Sequence, residues 1–328
     1  MNVYFTFDYE LFFGSNSGTA ENSIVQPTEE LIKIANKYNI QFTFFVDSGY
    51  LLKLKEYKDK YKYVRNEYNL VFEQLKKLDS LGHSIQLHIH PHWEDSFFDG
   101  NQWVINTKRY RIDNFTEEDV ENIVYRYKKV LTDIVGDKVF AYRAGGWCLQ
   151  PFQKISNAMK KHNIWLDTTV FNGGQNLSDT HFYDFINAPQ LDEWCFEEDP
   201  LIEKKNGFFT ELPISSIKVN PLFFWKFAIT KKIATKEHKI YGDGSPVGAS
   251  KKDILRMLTV PSYSCISCDG FKSSLLKTNY KKFQSLGNKK FVVIGHPKAQ
   301  TIYSLNKINN FFQYVNLNKV KSIANHRK

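Results

Sequence analysis

Short apolar strands alternate with amphipathic helices along most of this sequence, and that alternation restricts the chain to an α/β fold. Residues 41–46 and 291–294 are apolar runs of strand length, whereas Leu31, Ile34 and Tyr38 repeat at helical spacing. Strands that alternate with helices are expected to lie parallel in one sheet. With 328 residues, 42% of them hydrophobic, the chain can bury a large core around such a sheet.

Three of the nine histidines lie within five residues, at positions His88, His90 and His92. The preceding residues 84–87 are typical of a strand, and residues two apart in an extended segment share a face. The three imidazoles can therefore converge on one point, which is the usual way to hold a borderline metal such as zinc. Histidines buried for structural reasons alone would each need a hydrogen-bond partner. We therefore predict a metal site here.

Two acidic side chains, Asp8 and Glu10, follow the first apolar run, residues 3–7. In parallel α/β folds the carboxyl ends of the strands are where sites are built. One of the two acids could bind the metal while the other acts as a base. The alternative is a strand that simply ends in solvent.

Five short motifs occur in an order that resembles the NodB-homology polysaccharide deacetylases, carbohydrate esterase family 4. The resemblance runs from about residue 3 to about residue 297, and five ordered motifs at strand ends are more specific than any one alone. The motifs are Thr6-Phe7-Asp8-Tyr9-Glu10, His88-Ile89-His90-Pro91-His92, Tyr142-Arg143-Ala144-Gly145-Gly146-Trp147, Asp167-Thr168-Thr169-Val170 and Ile294-Gly295-His296-Pro297. The resemblance implies a distorted, incomplete (β/α) barrel, in one catalytic domain over residues 1–328.

The resemblance also implies a metal-dependent hydrolase that removes an N-acetyl group from a carbohydrate. The metal histidines of the family lie four apart, as His88 and His92 do, so these two are the expected ligands. Glu10 is the expected third ligand, because Tyr9 stands where the family has a second aspartate. His90 is then a rival ligand or supports the ligands from behind. One divalent ion, zinc by preference, is expected.

The other motif residues take catalytic roles by the same resemblance. Asp8 would accept a proton from water, and Arg143 would pair with Asp8 and keep it ionised. His296 would protonate the departing nitrogen, and Asp167 would orient the His296 ring. A structural ion pair for Arg143 and a structural role for His296 are the alternatives.

Three further features bear on the site. Glycines follow Ala144 in the third motif, where the family usually has proline after the arginine. Trp93 and Trp147 are candidates for contact with the ligands or the substrate. Residues 172–250 break the alternation of strands and helices, and we interpret them as a loop-rich insertion over the barrel mouth, where substrate specificity is decided.

Two other functions remain open from the sequence. One is a glycan-binding protein that has kept the barrel and lost turnover, which the missing second aspartate favours. The other is a deformylase or amidase that acts on a different amide. The survival of six motif residues argues against the binding protein: Asp8, His88, His92, Arg143, Asp167 and His296.

Composition limits the partners and the compartment. The net charge is +9, mostly from lysine spread along the chain. This is typical of a solvated surface, although attraction to anionic sugars, nucleotide sugars or lipid headgroups stays open. No nucleic-acid-binding motif is visible, and no apolar run is long enough to cross a bilayer. Without a visible signal peptide, we expect a cytoplasmic protein that acts on an N-acetylated sugar, free or carrier-linked, in surface-glycan biosynthesis.

The four cysteines do not form a disulfide framework in a chain of this length. They are Cys148, Cys195, Cys265 and Cys268. The last two form a CxxC pair, but no second pair exists to complete a zinc site. Ordinary free thiols are expected.

Overall fold

A curled sheet of mostly parallel strands forms the centre of the protein. The structure is a computed structural model that describes residues 1–233, 235–248 and 251–327. Within these residues the strands are Asn2–Tyr9 (β1), Thr43–Asp47 (β2), Ser84–Ile89 (β3), Phe97–Phe98 (β4), Trp103–Val104 (β5), Ala141–Ala144 (β6), Leu166–Asp167 (β7), Gln175–Leu177 (β8), Phe182–Asp184 (β9), Trp194–Phe196 (β10), Phe209–Glu211 (β11), Ser216–Val219 (β12), Ser262–Cys265 (β13), Lys290–Gly295 (β14) and Val320–Lys321 (β15).

The main sheet has the order β10–β11–β7–β6–β3–β2–β1–β14, and β15 pairs with β1. Its pairs are parallel except for β10 with β11. Backbone hydrogen bonds to β14 span the gap between β11 and β14. Ser215 N–H donates to the Val292 carbonyl and Ile294 N–H donates to the Ile266 carbonyl, at 3.0 Å each. The predicted distorted, incomplete (β/α) barrel is confirmed.

Helices cover the outside of this barrel. They are Gln26–Tyr38 (α1), Ser48–Tyr57 (α2), Lys62–Ser80 (α3), Glu117–Val135 (α4), Gln153–Lys161 (α5), Pro221–Ile233 (α6), Lys251–Thr259 (α7), Leu276–Ser285 (α8) and Ile302–Tyr314 (α9). Local sequence sets their ends: α1 has Pro27 in its first turn and ends at Asn39, whose φ is 51°. Thr116 and Asp119 form a capping box at the start of α4.

The alternation of β1 separates the core from the site. Phe5 and Phe7 point outward and pack on Phe42 with ring centroids 6.0 and 5.3 Å apart. Thr6 and Asp8 point inward, because successive side chains of a strand face opposite sides. The outward face therefore builds the strand–helix core, while the inward face supplies polar groups to the barrel.

Residues 172–250 contain short strands as well as loops. β10 and β11 lie within this range and extend the main sheet, and α6 adds a helix. Strands of three residues are too short to show a period of two, which explains why the sequence did not mark their bounds. In the described residues, none of the helices is both long and apolar enough to span a bilayer. The four cysteines, all within the described residues, are free thiols, as expected.

Candidate active site

The candidate site lies where neighbouring parallel strands end. Asp47 on β2 is opposite His88 on β3, and His88 is opposite Arg143 on β6. β1 ends beside them with Asp8, and His296 follows β14 on the other side of β1. Parallel strands bring their carboxyl ends to one edge, so residues far apart in sequence meet here.

Arg143 forms the most completely bonded part of the site. Its Nη1 donates to Asp8 Oδ1 at 2.7 Å, and its Nη2 donates to the hydroxyls of Thr6 at 2.8 Å and Thr168 at 3.0 Å. Its Nε donates to the Thr168 carbonyl at 2.9 Å, and the guanidinium lies 4.3 Å from the ring of Phe45. Arg143 is fully buried. The predicted contact with Asp8 is present, and it fixes the orientation of that carboxylate.

Glu10 and two histidines form a compact cluster beside this pair. Glu10 Oε2 lies 2.6 Å from His90 Nε2 and 3.2 Å from His88 Nε2, and the two Nε2 atoms are 3.1 Å apart. All three side chains are buried, and their ligand atoms lie within 4.8 Å of one another. His88 Nδ1 is 2.8 Å from the Arg143 carbonyl and donates to it when neutral, which leaves Nε2 free as a ligand.

His92 lies beside this cluster and outside it. Its ring stacks on Tyr110 with centroids 5.3 Å apart and an interplanar angle of 4°, and it is 5.3 Å from the ring of His90. Among the described residues, three buried imidazole nitrogens here have no hydrogen-bond partner. They are both ring nitrogens of His92 and Nδ1 of His90. Buried polar atoms are normally paired, so this part of the site fits a ligand that the protein does not itself supply.

The donor set and its charges also fit a divalent cation. Burial lowers the pKa of His90 to about 4 and that of His92 well below its usual value, so both rings offer lone pairs at neutral pH. Burial alone would raise the pKa of Glu10, but Lys298 and the neighbouring histidines outweigh it and hold the pKa well below its usual value. One carboxylate with two imidazoles is a typical donor set for catalytic zinc.

His296 connects the two parts of the site. Its Nε2 lies 3.6 Å from Asp8 Oδ2 and 3.9 Å from Glu10 Oε1. Asp269 holds the ring from behind, with Oδ2 2.7 Å from Nδ1, and accepts the His296 backbone N–H at 2.8 Å. Burial alone would lower the pKa of His296, but Asp269 and Asp8 outweigh it and raise the pKa above its usual value.

Asp269 occupies the position that the sequence had suggested for Asp167. Asp167 lies elsewhere on the edge, where it accepts from the Thr169 hydroxyl at 2.7 Å and its backbone N–H at 3.3 Å. β7 carries Asp167 and pairs with β11, which places Glu211 directly opposite. The reason is the strand order: β11 lies between β7 and β14 where the barrel closes, whereas Asp269 accepts the backbone N–H of His296 directly after β14. A role for Asp167 in turnover stays a prediction.

The two tryptophans have different surroundings. Trp93 is fully buried and donates from Nε1 to Asp47 Oδ2 at 2.6 Å. Burial raises the pKa of Asp47 to about 7, against the opposing effect of His88. Trp147 is half-buried and packs edge-on against Phe171 with centroids 5.3 Å apart. Trp93 therefore acts on the site through Asp47, whereas contact of Trp147 with a substrate stays a prediction.

Three site residues were missing from the sequence analysis. Asp47 ends a recognisable strand, so the rule that selected Asp8 could have found it. Lys298 donates to Glu10 Oε1 at 2.9 Å and to the Leu11 carbonyl at 2.5 Å. A lysine in a lysine-rich chain carries no signal of its own, and Asp269 follows an irregular segment without periodicity.

The glycines of the third motif have a steric reason. A Cβ on Gly145 would lie 2.5 Å from Nδ1 of His90. Glycine at position 145 leaves room for the imidazole of His90.

Comparisons with known proteins locate the fold. Neither a protein-family model nor a curated protein matches the chain in sequence. A Mycobacterium smegmatis protein described as a polysaccharide deacetylase matches in structure with a TM-score of 0.51, at 14% identity over 95% of this chain and 82% of its own. This match shows that the chain has the fold of the polysaccharide deacetylases, as its motifs predicted.

Two other solved structures are less similar. A family 4 carbohydrate esterase from Streptomyces lividans, in complex with acetate, has a TM-score of 0.38 at 10% identity, over 98% of this chain and 91% of its own. A CE4 family pseudoenzyme from Bacillus anthracis has a TM-score of 0.42 at 9% identity, over 99% of this chain and 64% of its own.

Proposed function

We propose that this protein is a metal-dependent hydrolase that removes the acetyl group from an N-acetylated carbohydrate, free or carrier-linked. The observation that carries the proposal is the position of His296, whose Nε2 lies 3.6 Å from Asp8 and 3.9 Å from Glu10. A candidate acid, a candidate base and a metal-binding carboxylate meet at one point. Amide hydrolysis needs all three, because water is a weak nucleophile and an amine leaves badly without a proton.

Glu10, His88 and His90 would hold the ion, and His92 is the alternative to His90. Both sets contain one carboxylate and two imidazoles. A divalent ion there, zinc by its preference for these donors, would polarise the carbonyl and acidify a water molecule.

The residues around the cluster move the protons. Asp8 accepts the proton of the attacking water, and the bond from Arg143 holds its carboxylate in place for this step. His296 donates a proton from Nε2 to the departing nitrogen. Asp269 binds Nδ1 and turns Nε2 towards the site, and the raised pKa of His296 supports a protonated ring near neutral pH.

Release of acetate tests this function directly. Wild-type protein supplied with zinc should release acetate from an N-acetylglucosamine oligomer, and chelation should stop the release. Asp8→Asn should keep its metal and lose activity about 10²–10⁴-fold, the usual contribution of a general base. Metal-loaded wild type that binds the oligomer without releasing acetate would overturn the proposal.

A second candidate is a glycan-binding protein without turnover. The ammonium of Lys298 lies 2.9 Å from Glu10 Oε1 and balances its charge without any metal. A glycan-binding protein of this kind should bind the oligomer equally well with and without a chelator. The further predictions of cytoplasmic location, a role in surface-glycan biosynthesis and the absence of a nucleic-acid partner stay predictions from the sequence.

A further inference from the structure

Helix α6 presents apolar side chains to solvent along one face. Leu222, Trp225, Ile229 and Ile233 are 68%, 50%, 54% and 67% exposed. Their spacing of three, four and four residues places them in a single stripe. The opposite face packs inward through Phe224, which is buried. Helix α6 therefore exposes a row of apolar side chains although Phe224 already packs inward, which is unusual for a surface helix.

Helix α7 lies against α6 and enlarges this surface. Trp225 Nε1 donates to the carbonyl of Leu258 at 3.0 Å and ties the two helices together. Leu255 and Val260 are also exposed. We call helices α6 and α7, together with Val260, the α6–α7 surface.

The α6–α7 surface is also strongly basic. Helices α6 and α7 contain six Lys or Arg and one Asp, a net charge of +5 out of +9 for the whole chain. Lys226, Lys231 and Lys232 on α6 are exposed. Most of the excess charge of the protein thus lies on the two helices that carry the exposed apolar residues.

We propose that the α6–α7 surface docks on a membrane surface that carries anionic lipids. An apolar stripe next to cationic side chains matches the acyl–headgroup boundary of such a membrane, where both are stabilised. The 13 residues of α6 span about 20 Å, less than the ~30 Å of a bilayer core. The helix therefore lies in the interface. A second copy would place two surfaces of charge +5 against each other, and their repulsion opposes that pairing.

The surface is connected to the candidate site through the chain. α6 and α7 are inserted between β12 and β13, which pair as an antiparallel ladder. Asp269, which holds His296, follows β13 by four residues. A docked protein would keep its candidate site near the lipid surface. The docking does not depend on the proposed hydrolysis.

Vesicle flotation tests the docking. The protein should float with phosphatidylcholine vesicles that contain phosphatidylglycerol and should stay behind with pure phosphatidylcholine. Leu222→Asp and Ile229→Asp should abolish flotation, because each puts a charge into the apolar stripe. Lys226→Gln and Lys232→Gln, which flank the stripe, should each weaken binding about fivefold. Leu286→Asp is the matched control, since Leu286 is 68% exposed but lies outside this surface, and it should float like wild type.

Three results would overturn the docking. They are equal binding to both vesicle types, no binding to either, and equal behaviour of Ile229→Asp and Leu286→Asp. Light scattering tests the alternative that a second copy of the chain covers the stripe. A wild-type dimer that does not bind vesicles and that Leu222→Asp dissociates would assign the stripe to this second copy. Circular dichroism of each variant checks that the fold is kept.

Discussion

The two halves of the candidate site differ in how far the protein satisfies its own polar groups. Around Asp8, every nitrogen of Arg143 donates to an oxygen at 2.7–3.0 Å. Around Glu10, three imidazole nitrogens of His90 and His92 lack a partner within the described part of the chain. The first half is held rigid by the protein alone. The second half keeps unpaired imidazole nitrogens beside the Glu10–His88–His90 cluster, and the comparison therefore separates the proposed base from the proposed metal site.

His296 faces both halves, and its loss should have the largest effect. His296→Ala should reduce release of acetate from an N-acetyl sugar about 10²–10⁴-fold, the usual range for a general acid. The same variant should lose far less on an activated aryl acetate, because that leaving group departs without a proton. Steady-state rates on the two substrates make the test.

Asp269→Asn serves as the control for His296. It keeps the ring and weakens the bond that positions it, so its loss on the amide should be smaller than that of His296→Ala. The alkaline limb of its pH profile should move to lower pH, because a carboxylate that raises the pKa of His296 has gone. Equal losses of His296→Ala on the amide and the ester would assign His296 a binding role.

The paired half should be important for stability. Arg143→Met leaves the Asp8 carboxylate buried without its partner, and we expect a loss of ~3–5 kcal/mol in the free energy of unfolding. Lys138→Met is the matched control, because Lys138 pairs with Asp79 at 2.7 Å on the surface and should lose less than ~1 kcal/mol. Urea unfolding of both variants measures the difference. Similar losses of unfolding free energy in the two variants would show that the Arg143–Asp8 pair stabilises the fold no more than a surface ion pair does.

A smaller effect should come from Glu211, opposite Asp167, whose Oε2 lacks a hydrogen-bond partner among the described residues. Burial and the adjacent Asp167 raise the pKa of Glu211 well above its usual value. A proton on Glu211 therefore stabilises the folded state at low pH, and this stabilisation is lost as pH rises through the raised pKa. Here the added positive charge is a proton, whereas for the histidine half we propose a metal ion.

Glu211→Gln keeps a hydrogen-bond donor that cannot ionise. Its free energy of unfolding should fall less than that of wild type between mildly acidic and alkaline pH. Urea titrations across this pH range give the change of unfolding free energy with pH for both proteins. The same change in wild type and Glu211→Gln would mean that Glu211 is already ionised in the folded protein.

Period-two alternation explains how much of the site the sequence could predict. It placed Asp8, Glu10 and His88 at strand ends, and the structure brings them together. The sequence could not decide between His90 and His92. β3 ends at Ile89, and a 3₁₀ turn that starts at Pro91 moves His92 away from the face that His88 and His90 share.

The remaining parts of the fold and site could not be predicted for a related reason. Asp269 reaches His296 through an irregular segment, and its contact depends on how residues 266–268 close the barrel against β14. Strands as short as β10 and β11 show no periodicity of their own. Contacts made by irregular chain depend on the assembled barrel and leave no local pattern.

Isothermal titration with zinc, on protein first treated with chelator, tests most directly whether Glu10, His88 and His90 bind one divalent metal ion. Wild type and Asp8→Asn should bind about one ion per chain, whereas Glu10→Ala, His88→Ala and His90→Ala should lose that binding. Undiminished binding in all three ligand variants would contradict this metal site, and loss in His92→Ala with retention in His90→Ala would transfer the ligand role to His92.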